Sequence, residues 1–281
     1  MGPPEIDADA FNAFEAAGWE ERADGYDDLI GRVTSRLADP LLDAAHAGGG
    51  TRLLDLATGP GYVAARGAER GADAVGVDVA GAMVSLAARL NPGLDFRQAD
   101  VHALPFEDGS FDAVVGNFVI LHLGRPDEAT AEFARVLRPG GRLALTTWDR
   151  PERARLLGLF LDAVAETGVS GPADLPTGPD LFRFADEAEF EQLLRASGLD
   201  HPAVTTISFS HPVATADELW EGFLRGSLRA AALIVHQPER TRRRIRAAFD
   251  RLAREYERDG TLDVPISVKL ASATRPRSGA P

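Results

Sequence analysis

Apolar positions in residues 8–47 recur every three or four residues through DAFNAFEAAGWEERADGYDDLIGRVTSRLADPLLDAA. That is the period of helices with one buried face, and Gly18 and Pro40 predict breaks between them. The AGGG from Ala47 is a connector. Beyond it the pattern changes. Short apolar runs at 52–57, 73–78, 94–98, 112–118 and 141–148 predict strands, and helical patterns fill 61–70, 81–90 and 127–137 between them. Such alternation predicts an α/β fold, doubly wound, with a mostly parallel sheet covered on both faces. After Trp148 come helical patterns at 152–167 and 186–197, separated by a Gly/Pro-rich loop, GVSGPADLPTGPDLF. A strand follows from Ala203 (AVTTISFS), then a helical insertion over about 215–258, broken near Gly226 and at Pro238. VPISVKLASATR is the last strand, and RPRSGAP reads as a frayed tail. The chain therefore divides into a helical segment at 1–48, a core at 49–150 and a C-terminal half at 151–281.

Composition narrows the chemistry. The formal charge of −13 opposes non-specific nucleic-acid binding, which needs a positive footprint. The basic run ERTRRRIRAAFDRLAR from Glu239 has interleaved acids at helical spacing, which suits a solvated helix face. With no cysteine there is no disulfide framework, thiolate nucleophile or cysteine-held metal; no metal site is expected. No apolar run has the length of a membrane span, and MGPPEIDADAFNAF lacks the charge and apolar order of a signal peptide. Pro3, Pro4 and Ile6 argue against myristoylation after Met1. A cytoplasmic protein without nucleic-acid or membrane partners is expected.

The candidate chemistry starts at LLDLATGPGYVAARG, residues 53–67: a strand, a tight turn and a helix start. Gly59, Gly61 and Ala64 fit the dinucleotide fingerprint G-x-G-x-x-G/A, which would suit an NAD(P)-dependent oxidoreductase. Asp55 speaks against it, because an anion just before the turn opposes a pyrophosphate at the helix N-terminus. A P-loop fails too, since no Gly-Lys-Ser/Thr follows. Asp78 closes the second strand in AVGVDVAGAM, at the spacing of a ribose-binding acid. Asp100, followed by Val101, closes the third, where a carboxylate can accept from an adenine amino group. Acids at three successive strand ends favour a cationic nucleoside.

These segments (LLDLATGPG, GVDVAGAM, QADVHALPFEDGSFDAVVGNFVILHL and FARVLRPGGRLAL) resemble the Rossmann-like S-adenosylmethionine-dependent methyltransferases, within them the group related to ubiquinone/menaquinone biosynthesis. The likeness covers about 50–150, with Ala57 standing where that family's loop commonly has its first Gly. It implies a seven-stranded sheet of order 3-2-1-4-5-7-6 with VPISVKLASATR antiparallel. It implies S-adenosyl-L-methionine as cofactor and S-adenosyl-L-homocysteine as product. Asp55 would help hold the ammonium, partly through backbone or water, Asp78 the ribose, and Val79 and Met83 would pack on the adenine. Asp100 and Val101 would read the adenine edge, with Asn117 bordering the methionine. Gly59 and Gly61 would let the backbone approach, and Tyr26 in RADGYDDL would cover the carboxylate end. The helical N-terminus and the 215–258 insertion would be lids.

His122, in NFVILHL, is the candidate general base, since imidazole titrates in the useful range. Its other reading is a histidine packed under the lid or orienting substrate. Trp148, His211 and His236 are candidate pocket residues, with core or structural roles as their alternatives; Trp220 is a core candidate. No Asn/Asp-Pro-Pro-Tyr/Phe sequence follows the fourth strand, which turns the expectation from nitrogen toward oxygen or carbon methylation of a small, apolar or aromatic molecule. A protein of this fold that binds the cofactor but catalyses a rearrangement or cyclisation would carry the same binding residues. A monomer or homodimer is expected.

Overall fold

The computed structural model describes residues 6–169, 171 and 175–277. Met1 and Gly2, part of the Gly/Pro loop and the last residues of the tail lie outside these.

Three apolar strands form the middle of the sheet because both of their faces are covered: β1 (Arg52–Leu56), β4 (Phe111–Gly116) and β5 (Leu137–Trp148). β2 (Asp73–Asp78) and β3 (Asp95–Gln98) extend it on one side. On the other side lie β6 (Asp200–Val213), a two-residue β7 (Glu257–Arg258) and β8 (Thr261–Thr274). The order is β3-β2-β1-β4-β5-β8-β6, with β7 pairing only with β8. β8 runs antiparallel between β5 and β6. Apart from the small β7, which shifts the numbering of the last strand, this is the expected topology.

The helices are α1 (Ala8–Arg22), α2 (Ile30–Thr34), α3 (Ala38–Ala44), α4 (Tyr62–Glu69), α5 (Gly81–Leu90) and α6 (Pro126–Val136). Then come α7 (Arg155–Glu166), α8 (Glu187–Ala196), α9 (Ala216–Gly226), α10 (Arg229–Val235) and α11 (Glu239–Ala253). Two expected breaks fall elsewhere. Gly18 lies inside α1, where a Cβ would come within 2.4 Å of Leu228 Cδ1; the glycine serves a close helix approach. Pro40 sits in the first turn of α3, where its missing N–H has no intrahelical partner to lose. No helix of the described residues is long and apolar enough to cross a membrane.

The C-terminal helices are held by an aromatic cluster. Phe160 of α7 stacks on Phe223 of α9 at 3.6 Å between ring centroids and meets Phe249 of α11 at 4.7 Å. Trp220 joins this cluster, 7% exposed, and so belongs to the core. The same cluster packs on Val264, Ile266 and Val268 of β8. This fixes α9 and the start of α10 beside the carboxyl ends of the strands, where α1 also crosses.

The turn between β1 and α4 is closely packed. Gly61 caps α4 with φ of 85°, and a Cβ there would lie 2.7 Å from Phe96 Cζ. Gly61→Ala combines left-handed strain with overpacking and should lower unfolding free energy by about 2–3 kcal/mol. Urea denaturation checks this; an unchanged midpoint would refute it.

Candidate active site

At the carboxyl ends of β1, β2 and β4 lies a cavity of about 350 Å³, roofed by α1 and the segment before α2 and closed on one side by α10. Its size suits a small-molecule site.

Asp78, the last residue of β2, is the best-connected group in it. The N–H of Gly59 donates to Asp78 Oδ2 at 2.9 Å and that of Ala80 to Oδ1 at 3.0 Å. One carboxylate thus ties the β1 turn to the β2 turn, keeping lone pairs for a ligand. Burial pushes its pKa up, against the backbone N–H groups of Ala80, Gly59 and Val79 and the attraction of His122. Beside it, Val79 is exposed in the wall and Met83 is buried against Ala80, Leu86 and Trp19. Asp100 and Val101 line the same end. Asp100 Oδ1 accepts from the backbone N–H of His102 at 2.9 Å and from its ring at 2.8 Å. Burial alone would raise the Asp100 pKa, but these bonds leave it lowered.

Ala57 and Gly59 line the cavity. Ala57 has φ of 47°, so an alanine holds the left-handed conformation that glycine adopts without cost. Asp55 and Gly61 do not line it. Here the sequence reading needs correction. Asp55 is 1% exposed and turned into the loop. Its Oδ2 accepts from Thr58 Oγ1 at 2.6 Å and from the Ala64 N–H at 3.0 Å. Ala64 is the third residue of α4, one of the amides a helix leaves free at its N-terminus. The acid therefore takes one of the amides that a phosphate could use, and its side chain does not itself reach the cavity. Burial pushes its pKa up to about 7, opposed by those two bonds.

Asn117 follows β4 with both ends of its amide engaged. Nδ2 donates to the Thr34 carbonyl at 3.0 Å, and Oδ1 accepts from Thr146 Oγ1 at 2.7 Å. It joins the N-terminal segment to the sheet at the cavity wall. Phe118 next to it has φ of 60°, held by its N–H to Thr146 Oγ1 and by packing on Trp148 at 4.2 Å. That turn explains why β4 ends earlier than its apolar run. Tyr26 lies in the roof, its hydroxyl 3.1 Å from Thr34 Oγ1; burial raises its pKa to about 12, so it stays neutral at physiological pH.

His122 lines the cavity from a short turn after β4. Its Nδ1 is 2.9 Å from Glu15 Oε2 of α1, and the Trp19 indole meets its ring edge-on at 5.1 Å. Trp19 Nε1 donates to the same Glu15 oxygen at 3.1 Å. Arg229 of α10 also lines the cavity, its guanidinium held by the carbonyls of Leu121 and Pro179.

The family now follows from comparison. Residues 54–145 match the family model described as a methyltransferase domain. Over 199 residues the chain is 31% identical to the ubiquinone/menaquinone biosynthesis C-methyltransferase of Dinoroseobacter shibae, covering 65% of this chain and 79% of that one. The chain belongs to the Rossmann-like, S-adenosylmethionine-dependent methyltransferase family. It is 38% identical over 118 residues to a demethylmenaquinone methyltransferase of Renibacterium salmoninarum, covering 42% of this chain and 50% of that one. The chain spans about half the length of the first such relatives. Among solved structures, the YcgJ protein of Bacillus subtilis shares the fold at a TM-score of 0.55 and 20% identity, over 87% of this chain and 99% of that one.

The C-terminal histidines do not join the family's cavity. His211 lies on β6 opposite Val264, where burial and the charges of Arg36 and Arg32 lower its pKa. His236 caps α10 and is exposed. Trp148 does line the cavity. Sequence reasoning missed Glu15, Trp19, His102 and Arg229. Glu15 gave one faint signal, an acid on the apolar stripe of an amphipathic helix.

The buried Asp55 makes stability depend on pH. Its folded pKa of about 7 lies above the ordinary 3.8, so ionising it opposes folding. The stability it contributes is complete below about pH 4 and is lost as pH rises toward 7. Asp55→Asn should remove a fall of a few kcal/mol at most from the pH profile of unfolding free energy in that window. Denaturation of both proteins from acid to neutral pH checks it; parallel profiles would refute the assignment.

Proposed function

We propose that this protein is a methyltransferase that moves the methyl group of S-adenosylmethionine to an oxygen or carbon of a small, apolar or aromatic molecule. The observation that carries the reading is the Asp78 carboxylate, held by the Gly59 and Ala80 amides and facing the cavity. Its remaining lone pairs suit the two hydroxyls of a ribose. The residues around it fit the rest of the cofactor. Val79, Met83 and Val101 provide an apolar slot for the base beside Asp100. The α4 N-terminus already holds Asp55, so the site favours a nucleoside without phosphates over a dinucleotide.

When bound, S-adenosylmethionine supplies a methyl group on a positively charged sulfur. The protein's own part is to align, exclude water and take a proton. Phe118, Trp148, Ile30, Leu121, Leu157 and Leu181 give the far end of the cavity an apolar wall that suits a flat or greasy acceptor. Alignment under a closed roof contributes at most about 7–11 kcal/mol. His122 lines the cavity, and its Nε2 has no hydrogen-bond partner among the described residues. It accepts the proton of an acceptor hydroxyl or acidic C–H at Nε2.

Calorimetry with S-adenosylhomocysteine tests the first half. Wild type should bind it and ignore NAD(P), and Asp78→Ala should bind at least about tenfold more weakly, given roughly 1.5–3 kcal/mol per hydrogen bond to a charged group. Dinucleotide binding alone would overturn the reading. For the second half, His122→Ala should lower turnover of an accepted phenol by about 10²–10⁴-fold with little change in cofactor affinity. Equal turnover would remove His122 as the base.

A further inference from the structure

Two features of α1 stand apart from its role as a roof. First, it inserts a carboxylate into the site: Glu15 is 3% exposed and 2.9 Å from His122 Nδ1. Its second oxygen has no hydrogen-bond partner, with Arg229 Nε at 4.0 Å. Second, α1 is held partly by apolar packing and partly by polar ties along the rim. Phe11, Glu15 and Gly18 are its buried residues, Gly18 lies against Leu228, and Trp19 packs beside Met83 and Tyr26. The polar ties join Asp9 with Arg125, Asn12 with the Gly124 N–H, Glu20 with the Ala82 N–H, and Arg22 with the Ser227 carbonyl. Burying a carboxylate is costly unless partners compensate it.

We propose that Glu15 is the positioning residue for the His122 base, so that seating α1 both closes the cavity and selects the imidazole tautomer able to accept a proton. This rests on the reading of His122 given above. A carboxylate only accepts, so His122 Nδ1 carries the hydrogen toward Glu15 and Nε2 keeps its lone pair. The Trp19 ring, meeting the imidazole at 87°, limits its rotation, and the Trp19 N–H holds the same carboxylate oxygen. Arg229 brings α10 to the second oxygen while the Leu121 and Pro179 carbonyls fix its guanidinium. Three segments distant in sequence thus converge on one carboxylate. The other charged group acting on the imidazole, Asp78, belongs to the sheet and stays in place when α1 lifts. Lifting α1 removes the acceptor from Nδ1 and frees the ring to carry its hydrogen on Nε2, where it cannot take a proton. A substrate that enters while α1 is raised meets a working base only after the roof has returned and water has been shut out.

The test is imidazole nitrogen NMR on the whole 281-residue chain labelled with ¹⁵N-histidine, with and without S-adenosylhomocysteine, at a pH where the ring is neutral. His122→Gln identifies the signal among the six histidines. Wild-type His122 should carry its hydrogen on Nδ1. Glu15→Gln, which keeps an acceptor oxygen, should retain that form, and Glu15→Leu should shift most of the population to Nε2–H. A wild-type ring protonated on Nε2, or a Glu15→Leu spectrum like wild type, overturns the proposal; the wild-type spectrum decides even if a variant fails to fold. Failure of wild type to bind S-adenosylhomocysteine would sink the methyltransferase reading instead, while the ligand-free spectra still judge Glu15.

Discussion

The site depends on protein carboxylates satisfying backbone N–H groups that a phosphate-binding loop would turn to its ligand. Asp55 takes the free amide of Ala64 at the α4 N-terminus, and Asp78 takes those of Gly59 and Ala80. The first bond removes the reason to bind a phosphate there. The second locks two turns of neighbouring strands into one rim, and the cavity forms around that rim. A helix N-terminus attracts an anion through its unpaired amides and its dipole. Here the chain supplies an acceptor for one of those amides itself, the Asp55 carboxyl group.

The rest of the architecture serves to cover this rim. The aromatic cluster of Phe160, Phe223 and Phe249 seats the C-terminal helices on β8, and so brings α9 and α10 to the cavity. Asn117 joins the segment before α3 to the end of β4 through Thr34 and Thr146. The Tyr62 hydroxyl at the start of α4 donates to Asp27, tying the roof to the glycine turn. The floor is therefore borne by the sheet, while the roof is held by both apolar packing and polar contacts. That division suits a reaction in which a bulky cofactor and an acceptor must both enter before water is excluded.

How far the site can be read from residues alone differs from one group to the next. Asp78 and Asp100 stand at strand ends, and a strand end on a parallel sheet has a known direction, so both reach the cavity as expected. Asp55 stands one residue short of the end of β1, level with Gly76 of β2 and not with Asp78. It lies in one of the inner strands, covered on both faces, and its donors are those of its own turn and helix start. His122 comes within reach because it follows β4 closely. His211 and His236 do not, because their distance from the cavity is set by the packing of β6 and α10, which no local pattern encodes.

The alternation of short apolar runs with helical periods by itself determined the parallel sheet, its order through the family likeness, and the rim on which a nucleoside would rest. These are properties of single strands and the turns after them, fixed by nearby residues. Only the tertiary structure decided that Glu15, 107 residues from His122, would meet it, and that Arg229 would approach from a third segment. Such meetings arise when a helix settles across a sheet edge. They depend on the summed packing of elements far apart in the chain, and one misplaced turn would have put a different side chain over the imidazole.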